Sequence, residues 1–181
     1  IVRYKKNKLI LTTGDFDIPE NLESYVKKDK IFLNEPLTDP QDDLSYLGKI
    51  LSIDVATKKI NIISKGHRNP QGLFYDSYND LIFSTDHGPK GGDEINIDVN
   101  PTNKLIKNFG WPKSSYGVRY TEDNNFRDIS CKQKRLFKAA PLCKSHKKYG
   151  YVEPVKYFTP SIGITQIVKL NDFKSNDHHE L

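Results

Sequence analysis

The feature that most constrains the fold is a short strand-like pattern that occurs twice along the chain. Residues 7–15 (NKLILTTGD) align with residues 79–87 (NDLIFSTDH), and both end in polar loops. Repeated short strands of this kind favour a β-propeller, whose loops at one end of the ring collect the functional groups. A β-sandwich with a chance similarity is the competing interpretation.

The distance along the chain between the two copies of the pattern is longer than the ~40–50 residues of one propeller blade. The polar stretch 17–41, which is punctuated by proline, has the composition of a surface insertion and accounts for the excess. Residues 164–170 (ITQIVKL) are a candidate start for a further strand. We therefore expect one partial propeller domain over residues 1–181.

Other parts of the chain also have the pattern of strands rather than helices. Strand-like runs occupy residues 9–13, 49–53, 59–63 and 80–85, and residues 56–58 between two of them suggest a hairpin. One weak helical pattern lies near residues 21–28. The chain is predicted to be all-β.

Composition excludes several classes of protein. With 36% hydrophobic and 28% charged residues the chain is globular rather than disordered. No apolar run approaches the ~18 residues of a membrane span. A net charge of +5 argues only weakly for nucleic acid, which we do not expect as a partner. Because the chain contains no methionine, we interpret it as an internal segment of a longer protein.

The two cysteines lie in a basic loop that we place at about residues 118–151. A disulfide between Cys131 and Cys143 would fit an oxidising compartment, whereas two unrelated buried thiols fit the pattern nearly as well. Their spacing is not that of a metal site.

The motif at residues 66–73 (GHRNPQGL) places a cation and an amide beside a stiffening proline. Arg68 and Asn69 together can bind a planar carboxylate through a bidentate fork and an amide donor. The alternative is a polar turn with Arg68 in a surface ion pair. The residues alone leave these two interpretations about even.

The motif at residues 86–96 (DHGPKGGDEIN) is a sharply turned glycine-rich loop followed by two acids. Exposed carbonyl and carboxylate oxygens are the ligands that Ca²⁺ accepts, although the spacing is not that of an EF-hand. An ordinary loop that ends in a strand is the alternative.

Taken in order, these two motifs, residues 108–112 (NFGWP) and residues 114–117 (SSYG) resemble the pyrroloquinoline quinone (PQQ)-dependent soluble aldose dehydrogenases. Residues 47–53 and 159–162 are also similar to this glucose/sorbosone dehydrogenase family. The resemblance implies a six-bladed β-propeller, of which this chain would cover roughly three blades.

The resemblance implies roles for individual residues. Arg68 and Asn69 would bind PQQ, and Arg68 would also stabilise negative charge that develops on the quinone during catalysis. Gly88 and Pro89 would hold Ca²⁺ through their main-chain carbonyls. Loop-organising roles are expected for Gln71, Asp93 and Glu94, and a packing role for Trp111. His146 is expected to be solvated.

The implied activity is oxidation of an aldose sugar to its lactone, with electrons passed to an external acceptor. The family's catalytic histidine and the lysine and arginines that complete its cofactor pocket have no counterpart here, so this segment alone should be inactive. The resemblance further implies a periplasmic or secreted protein and allows a homodimer. The alternative is a non-catalytic propeller of the same descent that binds a protein or glycan.

Overall fold

Two mainly antiparallel sheets make up the regular structure in a computed structural model that describes residues 1–15, 39–103, 105–117 and 144–170. The strands are β1 (Val2–Tyr4), β2 (Lys8–Thr13), β3 (Lys49–Asp54), β4 (Ile60–Lys65), β5 (Pro70–Asp76), β6 (Leu81–Asp86), β7 (Asp93–Val99), β8 (Lys107–Asn108) and β9 (Lys156–Phe158). The first sheet has the order β1-β2-β3-β4-β8, and the second has the order β5-β6-β7-β9. Only β4 and β8 pair in parallel. Short 3-10 turns form at Asp39–Gln41 and His146–Tyr149.

The internal repeat corresponds to equivalent positions in the two sheets. β2 and β6 carry its two copies, and each is the second strand of its sheet. Both strands end at the edge of the molecule where β5 and β7 begin. Backbone hydrogen bonds connect the polar segments that follow β2 and β6 to the loop that precedes β5. The predicted all-β class and the repeated unit are confirmed.

The core lies between the two sheets. Alternate apolar side chains of β2, β3 and β4 meet those of β5 and β6, because successive residues of a strand point to opposite faces. Tyr4 from β1 completes this core, and its ring packs edge-on against Tyr75 at 4.7 Å between centroids. The buried members are Tyr4, Ile10, Ile50, Ile63, Leu73 and Ile82.

The predicted hairpin connects β3 to β4. Asp54 accepts hydrogen bonds from the backbone N–H groups of Ala56 and Thr57, which closes the turn, and Lys58 has a left-handed φ of 60°. A register shift follows between Ile50 and Leu51 in the pairing of these strands. Hydrogen bonds from backbone N–H groups to a nearby side chain, such as those to Asp54, favour a turn over continued strand pairing.

A second irregularity lies in β5, where the register shifts between Pro70 and Gly72. The Thr85 hydroxyl accepts a hydrogen bond from Gly72 N (2.8 Å) and donates one to the carbonyl of Thr165. The segment 164–170 therefore lies along β5, but it pairs with no strand among the described residues.

The described residues thus form two blade-like sheets, where the resemblance implied roughly three. The expected further strand at residues 164–170 is not formed, because this segment packs against β5 and β6 but pairs with no strand among the described residues. Most of the expected insertion, the weak helical pattern near residues 21–28, and both cysteines lie outside the described residues. Within the described ranges, no helix is long and apolar enough to cross a membrane.

Candidate functional site

Three loops converge at one end of the two sheets and enclose a small cavity. The first loop connects β4 to β5, the second connects β6 to β7, and the third follows β8. The cavity is lined by Gly66, Arg68, Asp86, His87, Gly88, Pro89, Gly92, Glu94, Phe109, Trp111, Ser114 and Ser115. It therefore combines residues from both motifs that the sequence singled out.

The Arg68 guanidinium lies between the second and third loops. Its Nη1 donates to the carbonyl oxygens of His87 and Gly88, each at 3.2 Å. The guanidinium carbon stands 5.5 Å from the centroid of the Trp111 ring, within the range of a cation–π contact. The indole N–H of Trp111 in turn donates to Asp15 Oδ2 at 2.8 Å. Trp111 is buried and packs against Arg68, as expected.

The backbone that carries Arg68 and Asn69 is fixed by the carboxylate of Asp86. Oδ2 of Asp86 accepts from the N–H of Arg68 at 3.1 Å, and Oδ1 accepts from the N–H of Asn69 at 2.7 Å. Asp15 N donates to the Arg68 carbonyl at 2.8 Å, and Gln71 Nε2 donates to Asn69 Oδ1 at 2.7 Å. The adjacent residues Arg68 and Asn69 are thus held by hydrogen bonds with three different parts of the chain.

The loop that contains Gly88 and Pro89 is organised by Asp93, whose side chain is fully buried. Asp93 Oδ1 accepts from Gly88 N at 3.1 Å and from the Ser161 hydroxyl at 3.0 Å. Its Oδ2 accepts from three consecutive N–H groups, those of residues 162–164, at 3.0, 2.9 and 3.3 Å. The Ser161 hydroxyl also lies 3.3 Å from the Pro89 carbonyl oxygen.

These contacts decide the ionisation of Asp93. Burial alone would raise the pKa of its carboxyl group, but the hydrogen bonds from Ser161 and from the backbone of residues 162–164 favour the charged form. Together they hold the pKa of Asp93 below its ordinary value. Asp93 is therefore an ionised anchor that joins two loops far apart in sequence.

Its neighbour Glu94 lies in a different environment. Burial raises the pKa of Glu94, and the nearby His146 opposes that shift only in part. Glu94 Oε1 is 3.5 Å from His146 Nε2, and its Oε2 accepts from Asn96 Nδ2 at 3.2 Å. Ser114 Oγ lies 3.0 Å from the other ring nitrogen, Nδ1. Only 1% of His146 is exposed, so the expectation that it is solvated was wrong.

A second buried histidine, His67, belongs to the first loop. Its Nε2 is 2.9 Å from Ser64 Oγ, and its Nδ1 is 3.4 Å from Asp86 Oδ2. The imidazole ring stacks on Phe109 at 4.8 Å between centroids. None of its surface is exposed, so it cannot act as a base on a substrate in this arrangement.

The structure brings the predicted site residues together. Arg68, Asn69, Gly88 and Pro89 come from two loops that meet through the bonds from Arg68 Nη1 to the His87 and Gly88 carbonyls and through a 3.1 Å bond from His87 N to the Asn69 carbonyl. The described residues contain no group of three or more His, Cys, Asp or Glu side chains that could hold a metal. A cation at this site would therefore depend on main-chain carbonyl oxygens.

Sequence reasoning expected a loop-organising role for Asp93, which the structure bears out, but it missed other residues that support this site. Asp86 ends the second copy of the repeat, and its place immediately before the glycine-rich loop was the one signal that could have indicated it. Asp15 and Ser161 belong to segments far from residues 66–94 in the chain. Nothing in local composition or periodicity points to such long-range partners.

The sequence matches a family model described as Glucose / Sorbosone dehydrogenase over residues 1–178. The aldose sugar dehydrogenase YliI of Escherichia coli (strain K12) is 40% identical over 63 residues, which are 35% of this chain and 16% of that protein. Quinoprotein glucose dehydrogenase B of Acinetobacter calcoaceticus is 28% identical over 139 residues, which are 64% and 28% of the two chains. An uncharacterised Synechocystis protein, slr1608, is 30% identical over 135 residues, 67% of this chain and 28% of its own length.

Solved structures show the same relationship at the level of the fold. A crystal structure of glucose dehydrogenase has a TM-score of 0.56 and 24% identity, covering 89% of this chain and 39% of that one. The apo form of the soluble aldose sugar dehydrogenase of Escherichia coli has a TM-score of 0.56, 22% identity and the same coverage. The described sheets therefore have the fold of part of a β-propeller, and the chain spans well under half the length of these proteins.

Proposed function

The chain belongs to the glucose/sorbosone dehydrogenase family, and on that premise we propose that the whole protein is a PQQ- and calcium-dependent sugar dehydrogenase. In the proposed reaction an aldose is oxidised to its lactone and the electrons pass to an external acceptor. The observation that carries the proposal is the contact between Arg68 Nη1 and the Gly88 carbonyl oxygen at 3.2 Å. It joins the anion-binding motif and the carbonyl-rich loop in one site.

The donors at Arg68 and Asn69 suit an anionic, carboxylate-bearing cofactor. Arg68 supplies a permanent positive charge, since a guanidinium stays protonated in proteins. Its backbone is fixed by Asp86 and its side chain rests on Trp111, so the cation is held in place before a ligand arrives. A preorganised cation of this kind binds a carboxylate and stabilises negative charge on a neighbouring oxygen more strongly than a mobile one.

The carbonyl oxygens of Gly88 and Pro89 suit a hard cation. Neutral main-chain oxygens are common Ca²⁺ ligands, and the guanidinium of Arg68 already shows that the Gly88 carbonyl attracts positive charge. The backbone at Gly88 packs so closely against Gly91 and Gly92 that no side chain fits there. The carboxylate of Asp93 fixes this loop by accepting a hydrogen bond from Gly88 N. We propose that these two residues hold Ca²⁺, which would polarise the bound cofactor as a Lewis acid.

Within this proposal the described residues bind and orient rather than move protons. PQQ, when bound, supplies the two-electron oxidising capacity that no amino-acid side chain has. Arg68 and Asn69 fix its position and stabilise negative charge, while Gly88 and Pro89 hold the cation. His67 and His146 are buried and are not proposed as the base that takes the proton from the sugar hydroxyl. That base is proposed to lie in a part of the protein outside these residues.

The proposal is tested with Arg68→Ala in the complete protein. We expect this variant to lose PQQ binding, measured by titration of the quinone absorbance, while its circular dichroism spectrum stays that of the wild type. Arg3→Ala is the matched control, because it removes an exposed arginine from β1 and should leave the affinity unchanged. Unchanged PQQ affinity in Arg68→Ala would refute the assignment.

Catalysis is measured separately with the wild-type complete protein. A dye-linked assay with PQQ, Ca²⁺ and a panel of aldoses should give turnover that chelation of Ca²⁺ abolishes. A wild-type protein that binds no PQQ would instead favour the second candidate, a propeller that binds a protein or glycan. We further propose a periplasmic or secreted location, on the family resemblance, which fractionation of the source cells would test.

A further inference from the structure

We propose that His67 is a positioning residue for the Arg68–Asn69 pair, acting through the carboxylate of Asp86. The inference rests on the proposed function to the extent that this pair is taken to bind an anionic cofactor. The positioning itself is a property of the described structure and can be measured without any cofactor.

The first step of the argument is the set of partners around the imidazole ring. Asp86 Oδ2 lies 3.4 Å from His67 Nδ1, and this buried nitrogen has no hydrogen-bond partner among the described residues, so the contact is a long electrostatic one. A carboxylate has no hydrogen to donate, so the contact is favourable only when Nδ1 carries the ring hydrogen. Nε2 is then the acceptor for the Ser64 hydroxyl at 2.9 Å. The ring of Phe109 stacks on the imidazole and limits its rotation. His67 therefore links β4, the origin of Ser64, to the end of β6.

The second step is what Asp86 does with its remaining capacity. The same Oδ2 that faces His67 accepts from Arg68 N at 3.1 Å, and Oδ1 accepts from Asn69 N at 2.7 Å. Only 5% of Asp86 is exposed, so water cannot readily replace a lost partner. A carboxylate that tilts after losing His67 would carry both backbone N–H groups with it.

The third step separates this role from simple core filling. His146 is a natural comparison, because it is equally buried and also lies between a serine and an acid. Its acid, Glu94, bonds the side chain of Asn96 and makes no described bond to the backbone of Arg68 or Asn69. Loss of His146 should therefore lower stability without affecting the pair.

The experiment uses His67→Asn, His67→Gln and the control His146→Gln in the complete protein. The amide nitrogen of asparagine lies three bonds from Cα, as Nδ1 of histidine does, whereas that of glutamine reaches the position of Nε2. Hydrogen exchange is measured for the amides of Arg68 and Asn69, and PQQ affinity is measured by titration. Local opening of a hydrogen-bonded amide is what such exchange reports.

We expect His67→Gln to accelerate exchange at both amides and to weaken PQQ binding about tenfold, the size expected when a buried carboxylate loses a polar neighbour. His67→Asn should stay closer to the wild type in both measurements, since it keeps a donor toward Asp86. A role in core filling alone would reverse that order, because glutamine fills more of the space. His146→Gln should change neither quantity.

Two results would overturn the proposal. One is equal or reversed behaviour of the asparagine and glutamine variants, and the other is the same acceleration at Arg68 and Asn69 in His146→Gln. If the wild type itself binds no PQQ, the proposed function fails, while the exchange rates still decide the positioning role. If His67→Gln does not fold, Ser64→Ala is measured in its place, with faster exchange expected at the same two amides.

Discussion

At the scale of single residues, two adjacent acids show how environment rather than sequence position determines what a carboxylate does. Asp93 receives five hydrogen bonds and is held in its charged form. Glu94 is buried with few donors, so its charged form is disfavoured. The two residues are adjacent acids in the sequence, but the structure favours the charged form of Asp93 and disfavours the charged form of Glu94.

We therefore predict opposite responses to the two isosteric substitutions Asp93→Asn and Glu94→Gln. Asp93→Asn should lower the free energy of unfolding by about 2–3 kcal/mol, because several donors lose a charged acceptor. Glu94→Gln should leave it within about 1 kcal/mol or raise it, because the cost of burying a charge disappears. Urea unfolding of the complete protein at pH 7 measures both. Equal losses in the two variants would contradict this interpretation.

The pH dependence of the Asp93 contribution has a definite sign. A carboxyl group whose pKa is lowered on folding stabilises the protein above its unfolded-chain value, here 3.8, and that stabilisation is lost as the pH falls through the lower folded value. The stability difference between wild type and Asp93→Asn should thus be constant near neutral pH and narrow in acid below 3.8. Unfolding free energies measured across that range test it, and a difference that widens in acid would show the sign to be wrong.

Which site residues could be read from the sequence follows from how local their signals are. Arg68, Asn69, Gly88 and Pro89 sit in two short, distinctive motifs. Asp86, His67 and Ser161 act through contacts between separate segments of the chain. His146 is buried where Ser114 and Glu94 reach it from two other elements. No pattern along the chain encodes such meetings.

At the scale of elements, the four strand-like runs were predicted within two residues of the ends of β2, β3, β4 and β6. No strand was predicted at β8 or β9, which have two and three residues and are too short to show a period, nor at β7, which begins inside the motif at residues 86–96. The pattern also failed for β5, which begins at Pro70 inside a motif interpreted as a loop. The irregular start of β5 is what places Asn69 at the end of the sheet.

The bulge in β5 yields a prediction about the segment 164–170. A Cβ atom at Gly72 would lie 2.5 Å from Thr85 Oγ1 and 3.0 Å from Ile167 N, so Gly72→Ala should push that segment off the strand. We expect a loss of about 1–3 kcal/mol, typical of overpacking, with faster hydrogen exchange in residues 164–167. Thr85→Val removes the bridging hydroxyl and keeps nearly the same side-chain volume. It should also speed hydrogen exchange in residues 164–167.

Gly14→Ala provides the control for Gly72→Ala. Gly14 lies outside the left-handed region, and a Cβ atom there would approach no atom closer than 3.4 Å. In the Gly14→Ala variant, hydrogen exchange in residues 164–167 should match that of the wild type. Protection in that segment that survives both Gly72→Ala and Thr85→Val would show that the packing described here does not hold it in place.

At the scale of the whole molecule, the described sheets match part of the propeller of a longer chain. The chain covers 39% of the glucose dehydrogenase structure that it resembles, and apolar side chains along its last described segment are exposed, with Val168 and Leu170 each 67% accessible. In a closed propeller such positions are covered by neighbouring blades. An isolated piece of this size leaves them uncovered.

We predict that the isolated 181-residue chain self-associates and unfolds without a single cooperative transition. Exposed strand edges and uncovered apolar surface are the physical cause. Size-exclusion chromatography with light scattering, followed by urea unfolding, tests this against the complete protein. A monomer that melts sharply and reversibly would contradict it.

The carboxylate of Asp93 also limits how this site could be moved by protein engineering. Residues 66–94 look like a cassette that could be grafted onto another propeller, since they carry both motifs. Yet the cassette's carbonyl-rich loop is tied through Asp93 to Ser161 and to the backbone of residues 162–164. A graft that leaves this distant segment behind would transfer the motifs but not their shape, so the smallest transferable unit is the two sheets and the segment that follows β9.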